Sequence, residues 1–328
     1  MSRPTMRDVA HTAGVSLKTV SRVINAEAGV APATAARVAS AIDELGFERN
    51  DLARSLRQGG SSATLGLVIE DVANPFYATV AQAVESAARE RGFLLITASA
   101  REDAEREREL VAALLRRRVD ALLVVPAGPD HRYISTDTRA VFLDRPPRGI
   151  AADTVLFDNL GGARSGVQHL IERGHVRIAC VADDAALFTA SARIEGYRSA
   201  LRDAGLEEDP SLLTTGNRDV PAARAAVAHL LGLPPRRRPT AVFSANNRNT
   251  VGALHALADR ERPVALVGFD DFELADLLGT TVVRADPWRL GEQAAALAFA
   301  RLDGDDRPPL ELTVPTELVA RGSGELTP

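Results

Sequence analysis

One cysteine stands in 328 residues, so no disulfide can form within the chain. Cys180 lies in the apolar run Ile178-Ala-Cys-Val181, the setting of a buried strand thiol and not of a nucleophile. No apolar run approaches the roughly 20 residues that span a bilayer, and the N-terminus carries no apolar signal region. A cytoplasmic protein with no membrane partner is expected. Enzyme motifs are missing too. No Gly-x-Gly-x-x-Gly follows an expected strand, no phosphate loop ends in Gly-Lys-Ser/Thr, and there is no Gly-x-Ser-x-Gly elbow. His11, His131, His169, His175, His229 and His255 have neither metal spacing nor a cysteine partner. No catalytic residue, metal or cofactor is expected. Lysine is nearly absent as well: Lys18 is the only one among 39 basic residues.

What is present begins with length. A chain of this size suits two or three domains, and a hydrophobic content of 45% can build a sizeable core. The net charge of −5 argues against wholesale affinity for nucleic acid, so any such affinity must be local. It has a place to reside. Within residues 1–25, Arg3, Arg7, Lys18 and Arg22 oppose only Asp8.

The same window reads as two short helices joined by a tight turn. Thr5 and Asp8 fit a capping box, so a helix begins at Met6. Val9 and Ala13 share a face, and Gly14 can end the helix in the left-handed conformation. Ser16 caps a second helix, whose Val20, Val23 and Ile24 turn toward the first. Leu17, Lys18, Thr19, Ser21, Arg22 and Asn25 remain near the outer face, mostly donors and acceptors suited to base edges and phosphates. Pro32 starts a third helix, with Ala35, Val38 and Ile42 as its apolar stripe and Gly46 as its stop. Residues 50–57 then form a segment of barely two turns before Gln-Gly-Gly-Ser-Ser, too short to be stable alone.

This order resembles the lactose-repressor (LacI/GalR) family of bacterial transcription regulators. The run Val15-Ser16-x-x-Thr19-Val20-Ser21-Arg22-Val23-Ile24-Asn25 is highly specific to it. The likeness continues through Ala73-Asn74-Pro75-Phe76-Tyr77-Ala78, Leu143-Asp144-Arg145, Gly174-His175-Val176-Arg177-Ile178, Ala192-Arg193-Ile194-Glu195-Gly196-Tyr197, Val267-Gly268-Phe269-Asp270-Asp271 and Val314-Pro315-Thr316-Glu317-Leu318-Val319. Two departures are visible: Arg49 stands where proline is common, and Asn246-Asn247 replaces the more usual Asn-Asp.

From residue 62 short apolar runs alternate with helical stretches. Strands are expected at 65–69, 93–97, 121–125, 140–143, 177–181, 240–244 and 264–268, with helices such as 76–91, 163–173 and 192–204 between them. Continuous apolar strands separated by helices imply parallel sheets covered on both faces. In such sheets ligands sit beyond the carboxyl ends of strands, and in a two-lobed protein between the lobes. Asn74, Phe76, Asp144, Arg145, Arg193, Asn246 and Asp270 fall at such places, and Phe188 is a candidate second aromatic wall. Arginine and aspartate can hold adjacent hydroxyls while an aromatic face packs on a sugar's C–H surface. The family resemblance puts Arg193, Asn246 and Asp270 in the effector pocket.

The resemblance therefore implies an all-α helix-turn-helix headpiece (1–48), a hinge helix and linker (49–61), and an α/β two-lobed, periplasmic-binding-protein-like (type I) effector and dimerisation domain (62–328). Lobe one covers about 62–158 plus 287–305, and lobe two about 159–284 plus 310–322, with a strand at 312–320 in lobe two. The function implied is a repressor that binds near-palindromic operator DNA as a homodimer under control of a small sugar effector. Its DNA-binding residues would be Thr5, Ser16, Leu17, Lys18, Thr19, Ser21, Arg22, Asn25, Ala53 and Leu56. Leu56 would wedge into the minor groove at the dyad. No heptad tail follows the last strand, which favours a dimer over a coiled-coil tetramer. The alternative is a free-standing sugar-binding protein, which would have no use for residues 1–58.

Overall fold

A computed structural model describes residues 4–25, 27, 29–47, 62–258 and 263–328. The chain forms two compact units that part between Ser62 and Ala63. The expected hinge helix, with Ala53 and Leu56, lies outside the described residues.

Among its described residues the first unit holds three helices. Helix α1 (Met6–Ala13) starts on a reciprocal capping box: the Thr5 hydroxyl accepts from the Asp8 backbone, and the Thr5 N–H donates to the Asp8 carboxylate at 2.7 Å. Gly14 ends it at φ 62°, in the left-handed region that glycine tolerates. Ser16 caps α2 (Leu17–Ile24), and α3 (Pro32–Leu45) begins on its proline. Val9, Ala10, Ala13, Val20, Val38 and Ala41 close into a small core.

The second unit is built on two six-stranded sheets. Its strands are β1 (Thr64–Ile69), β2 (Leu94–Ser99), β3 (Ala121–Val124), β4 (Ala140–Leu143), β5 (Asp153–Phe157), β6 (Ile178–Val181), β7 (Leu213–Thr214), β8 (Ala241–Ser244), β9 (Ala265–Phe269), β10 (Thr281–Ala285), β11 (Glu311–Val314) and β12 (Thr316–Val319). One sheet runs β11-β5-β4-β3-β1-β2 and the other β12-β10-β9-β8-β6-β7. Only β10 with β12 is antiparallel among the described pairs. The inner strands are buried along their whole length, as helices on both faces require.

The last crossings differ from the sequence expectation. Residues 312–320 do not form one strand in lobe two. The segment splits at Pro315: β11 pairs parallel with β5 in the first sheet, and β12 pairs antiparallel with β10 in the second. Proline has no N–H to donate, so a ladder cannot run through it, and the chain changes sheets there. Lobe one therefore extends through β11. Strands β5, β7 and β10 were not foreseen either: β7 is two residues long, and β5 opens on the polar pair Asp153-Thr154.

Helices α4 (Pro75–Glu90), α5 (Ala104–Arg116), α6 (Asn159–Glu172), α7 (Phe188–Asp203), α8 (Val220–Leu231), α9 (Asn247–Leu257) and α10 (Pro287–Leu302) cover the sheets. Helix α7 begins four residues before the expected 192, and no side chain caps its start to announce it. It crosses α6 closely at Gly196, where a Cβ would lie 2.4 Å from the Leu160 carbonyl oxygen. Among the described residues no helix is long and apolar enough to cross a membrane.

Gly196→Ala should cost about 1–3 kcal/mol of stability, because backbone on the facing helix cannot yield as a flexible side chain would. Urea unfolding of the two proteins measures it. Equal stability would mean that α6 and α7 separate freely.

Candidate ligand cleft and nucleic-acid interface

On the first unit, capping decides which side chains remain available. The Ser16 hydroxyl accepts from the Thr19 N–H at 3.1 Å and shares a hydrogen bond with the Thr19 hydroxyl. Thr5 is engaged with Asp8 in the same way. These three candidates thus shape the start of each helix. Leu17 and Lys18 are exposed at the first turn of α2, while Ser21, Arg22 and Asn25 follow on the same side, half-buried. The Arg22 guanidinium approaches the Glu27 carboxylate at 3.6 Å, and the Asn25 amide donates to Ser21 and Glu27. The outward face is a ridge of two cations, Lys18 and Arg22, with the Ser21 hydroxyl and the Asn25 amide around an exposed leucine. A major groove admits an α-helix, and side chains of these types pair with base edges and phosphates.

In the second unit the carboxyl ends of the strands of both sheets converge on one cleft. Asn74, Phe76, Arg145, Arg193, Asn246 and Asp270 all line it. Phe188 does not. It is the first residue of α7, and its neighbours Leu187, Thr189 and Ala190 face the cavity instead. The cleft volume is about 60 Å³. Ligand pockets usually measure ~300–1,000 Å³, so a sugar fits only when side chains or lobes move apart.

Three arginines organise the cleft. Arg193 donates to the Asn159 side chain and the Ala245 carbonyl, each at 2.7 Å, and to Asp270 at 3.0 and 3.4 Å. Its guanidinium lies 3.7 Å from the centre of the Phe269 ring. Arg145 makes a two-pronged bond to Glu102, 2.6 Å on each side, and donates to the Pro126 carbonyl at 3.1 Å. Arg248 reaches from lobe two to Glu70 at 3.2 Å and Asp71 at 2.7 Å in lobe one. The Asn247 amide makes a second bridge, donating to the Asn74 side chain at 2.8 Å.

Burial pushes the carboxyls of Glu70 and Asp183 up. It does the same to Asp270, where Arg193 works against it. Burial also raises the Tyr77 phenol well above its ordinary value, so Tyr77 stays a donor, and it bonds Asp144 at 2.9 Å. The side chain of Phe76 is mostly core, with its ring 5.0 Å from Tyr77 and 5.9 Å from Phe157, edge-on.

Several lining residues were not among the sequence candidates. Glu70 directly follows β1, so the strand-end rule that found Asp144 and Asp270 applies equally to it. Asp183 lies two residues past β6. Tyr77 and Asn247 sit inside quoted motifs but beside the residues chosen. Glu102 and Arg248 had no signal, because their reach depends on loop and lobe geometry.

Beneath Arg145 lies a buried polar cluster. Glu107, wholly inaccessible, accepts from the Ala127 N–H and the Tyr133 hydroxyl, with His131 Nε2 3.3 Å away. His131 Nδ1 in turn accepts from the Arg148 N–H at 2.9 Å. The loop that offers the Pro126 carbonyl to Arg145 is pinned by Glu107. Burial pushes this carboxyl up, but the nearby His131 ring and the hydrogen bonds from Ala127 and Tyr133 outweigh it and hold it below the ordinary 4.5.

Comparison with known proteins covers both units. Residues 5–50 match the family described as bacterial regulatory proteins, lacI family. Residues 62–269 match periplasmic binding proteins and sugar binding domain of LacI family. The ribose operon repressor of Escherichia coli (strain K12) is 34% identical over 332 residues, covering 97% of this chain and 99% of that one. Among solved structures, the transcriptional regulator CelR–cellobiose complex is 33% identical with a TM-score of 0.71, covering 98% of this chain and 100% of its own. The lac repressor dimer bound to operator and the anti-inducer ONPF is 25% identical with a TM-score of 0.84, covering 98% and 99%.

A depressed carboxyl adds stability that is present above its unfolded value and lost as the pH falls through the folded one. Glu107→Gln should therefore be less stable than wild type at neutral pH by about 1–3 kcal/mol, and the gap should close as the pH drops below 4.5. Thermal melts across pH 3–8 test this; a pH-independent gap would show that the charge of Glu107 contributes nothing.

Proposed function

Because the chain belongs to the LacI family of bacterial regulatory proteins, we propose that it is a transcriptional repressor whose grip on operator DNA is set by a small sugar in the cleft. One observation carries this reading: a helix-turn-helix unit and a two-lobed polar cleft occur in a single chain. A free-standing sugar-binding protein would need only the second. The reading assigns no catalytic step to the chain, and it puts the protein with the chromosome, in the cytoplasm.

Lys18, exposed at the first turn of α2, is the residue we assign to the major groove, with Leu17, Ser21, Arg22 and Asn25 beside it. Thr5, Ser16 and Thr19 hold the helix starts and contact phosphates by backbone or hydroxyl. A homodimer would present two such helices to half-sites about one helical turn apart. Residues 49–61, with Ala53 and Leu56, would connect the units and reach the minor groove at the dyad.

Relatives named for ribose and solved with cellobiose support a sugar as the effector. The cleft chemistry agrees. A sugar hydroxyl can donate to Asp144 or Asp270 while accepting from Arg145, Arg193 or Asn246. The small volume implies that binding rearranges the two lobes, and couplings between such sites typically amount to about 1–3 kcal/mol.

Two measurements test the reading. Lys18→Ala should weaken operator binding by about 1–3 kcal/mol at fixed salt and relax one base position; unchanged affinity and preference would remove Lys18 from the groove. A thermal-shift screen of neutral sugars identifies the effector by the rise in melting temperature. Asp270→Asn should then lose about 1–3 kcal/mol of effector affinity while binding effector-free operator like wild type. If operator binding falls equally without ligand, Asp270 serves only to hold Arg193 and the fold.

A further inference from the structure

The lining of the cleft is crowded with carboxylates. Glu70, Glu102, Asp144, Asp183 and Asp270 face it, against three arginines. Each arginine is already paired inside the protein. Arg145 is the telling case. Its two terminal nitrogens grip both oxygens of Glu102 at 2.6 Å, the geometry a guanidinium offers to a bound carboxylate or phosphate. Only its Nε lacks a hydrogen-bond partner, and that N–H lies 3.7 Å from the Asp144 carboxylate.

The position of Glu102 is built at some cost. Arg101 and Glu102 are consecutive non-glycine residues with φ 57° and 59°. Side chains with a Cβ avoid this left-handed region. The loop is held there by the Ala100 and Arg101 N–H groups, which donate to the Ile69 and Glu70 carbonyls at 2.8 and 2.7 Å. Strained backbone that persists in this way marks a position with a task. Here it delivers a carboxylate to the one cleft arginine that carries a full fork.

We propose that Glu102 occupies the anion-binding edge of Arg145, so that the cleft excludes anionic ligands and accepts uncharged or amine-bearing ones. The inference rests on the cleft being the effector site. A ligand phosphate or carboxylate would have to expel Glu102 toward Glu70 and Asp183, whose carboxyls already feel its charge. A hydroxyl faces no such conflict. It can donate to a neighbouring carboxylate without breaking the fork.

Glu102→Gly tests this directly. It removes the carboxylate, and glycine suits the left-handed backbone, so the variant should fold; Glu102→Gln serves as a second variant that keeps the side-chain size. Melting temperatures are read in sodium sulfate against sodium chloride at matched ionic strength, and with glucose 6-phosphate and gluconate as sugar-sized anions. Wild type should show only the general stabilisation that sulfate gives by its exclusion from protein surface. Glu102→Gly should rise by about 2–4 °C more than wild type in at least sulfate, and the double variant Glu102→Gly, Arg145→Met should fall back to the wild-type response. A wild-type rise as large as that of Glu102→Gly, no excess over wild type in either single variant, or an excess that survives the loss of Arg145 each overturns the inference. The sugar screen is independent of these arms. A failed screen beside the expected sulfate pattern removes the sugar effector and leaves Glu102 as an anion excluder. A sugar hit beside equal sulfate responses of wild type and Glu102→Gly does the reverse.

Discussion

The cleft is organised around the buried pair Arg193–Asp270. A guanidinium so far from water survives only if its donors are met and its charge is balanced. Asp270 balances the charge, and Asn159 and Ala245 take the remaining donors. Phe269 covers the flat face. Arg193 comes from α7, Asn159 from α6, Ala245 from the end of β8 and Asp270 from the end of β9. One side chain therefore sets the spacing of four elements in lobe two, and Gly196 lets the two helices involved approach closely enough to share it.

The two lobes solve the same problem twice. Asp144 follows β4 with φ 65°, and its N–H bonds the Val155 carbonyl of the next strand at 2.9 Å. Asp270 follows β9 with φ 66°, and its N–H bonds the Val283 carbonyl of the next strand, also at 2.9 Å. In both, the left-handed turn swings a carboxylate over the sheet's carboxyl edge. The partners differ: Tyr77 donates to Asp144, and Arg193 to Asp270. A duplicated backbone device thus places two acceptors on opposite walls, and the lobes supply different chemistry to each.

What keeps the walls together is separate from what lines them. Arg248 and Asn247 reach across from α9 to Glu70, Asp71 and Asn74 at the end of β1 and the start of α4. Arg248 and its partners remain partly exposed, so water can replace each bond at modest cost. Such a closure yields to a ligand with a few good hydrogen bonds. The arrangement suits a switch better than a permanent clamp, since a permanent clamp would be apolar and dry.

Much of this was legible in the residues. Thr5 with Asp8, Gly14, Ser16, Pro32 and Gly46 mark helix ends by local chemistry, and each acts as its type dictates. Alternation of apolar runs with helices made the parallel sheets readable, and residues just past those runs led to Asn74, Arg145, Asn246 and Asp270. These features depend on a few neighbouring residues. The split at Pro315 depended on which sheet each half would meet, so only the three-dimensional pairing decided it. Phe188 fell away because a helix turns its first residue according to where the helix begins, and α7 had no cap to announce that. Glu102 and Arg248 lie 43 and 177–178 residues from their partners, joined by a strained loop and by lobe closure. The sequence by itself determined most of the elements, the two units and part of the cleft, because those rest on local patterning; the tertiary structure alone decided the charge pairing within the cleft, because that rests on contacts between distant segments.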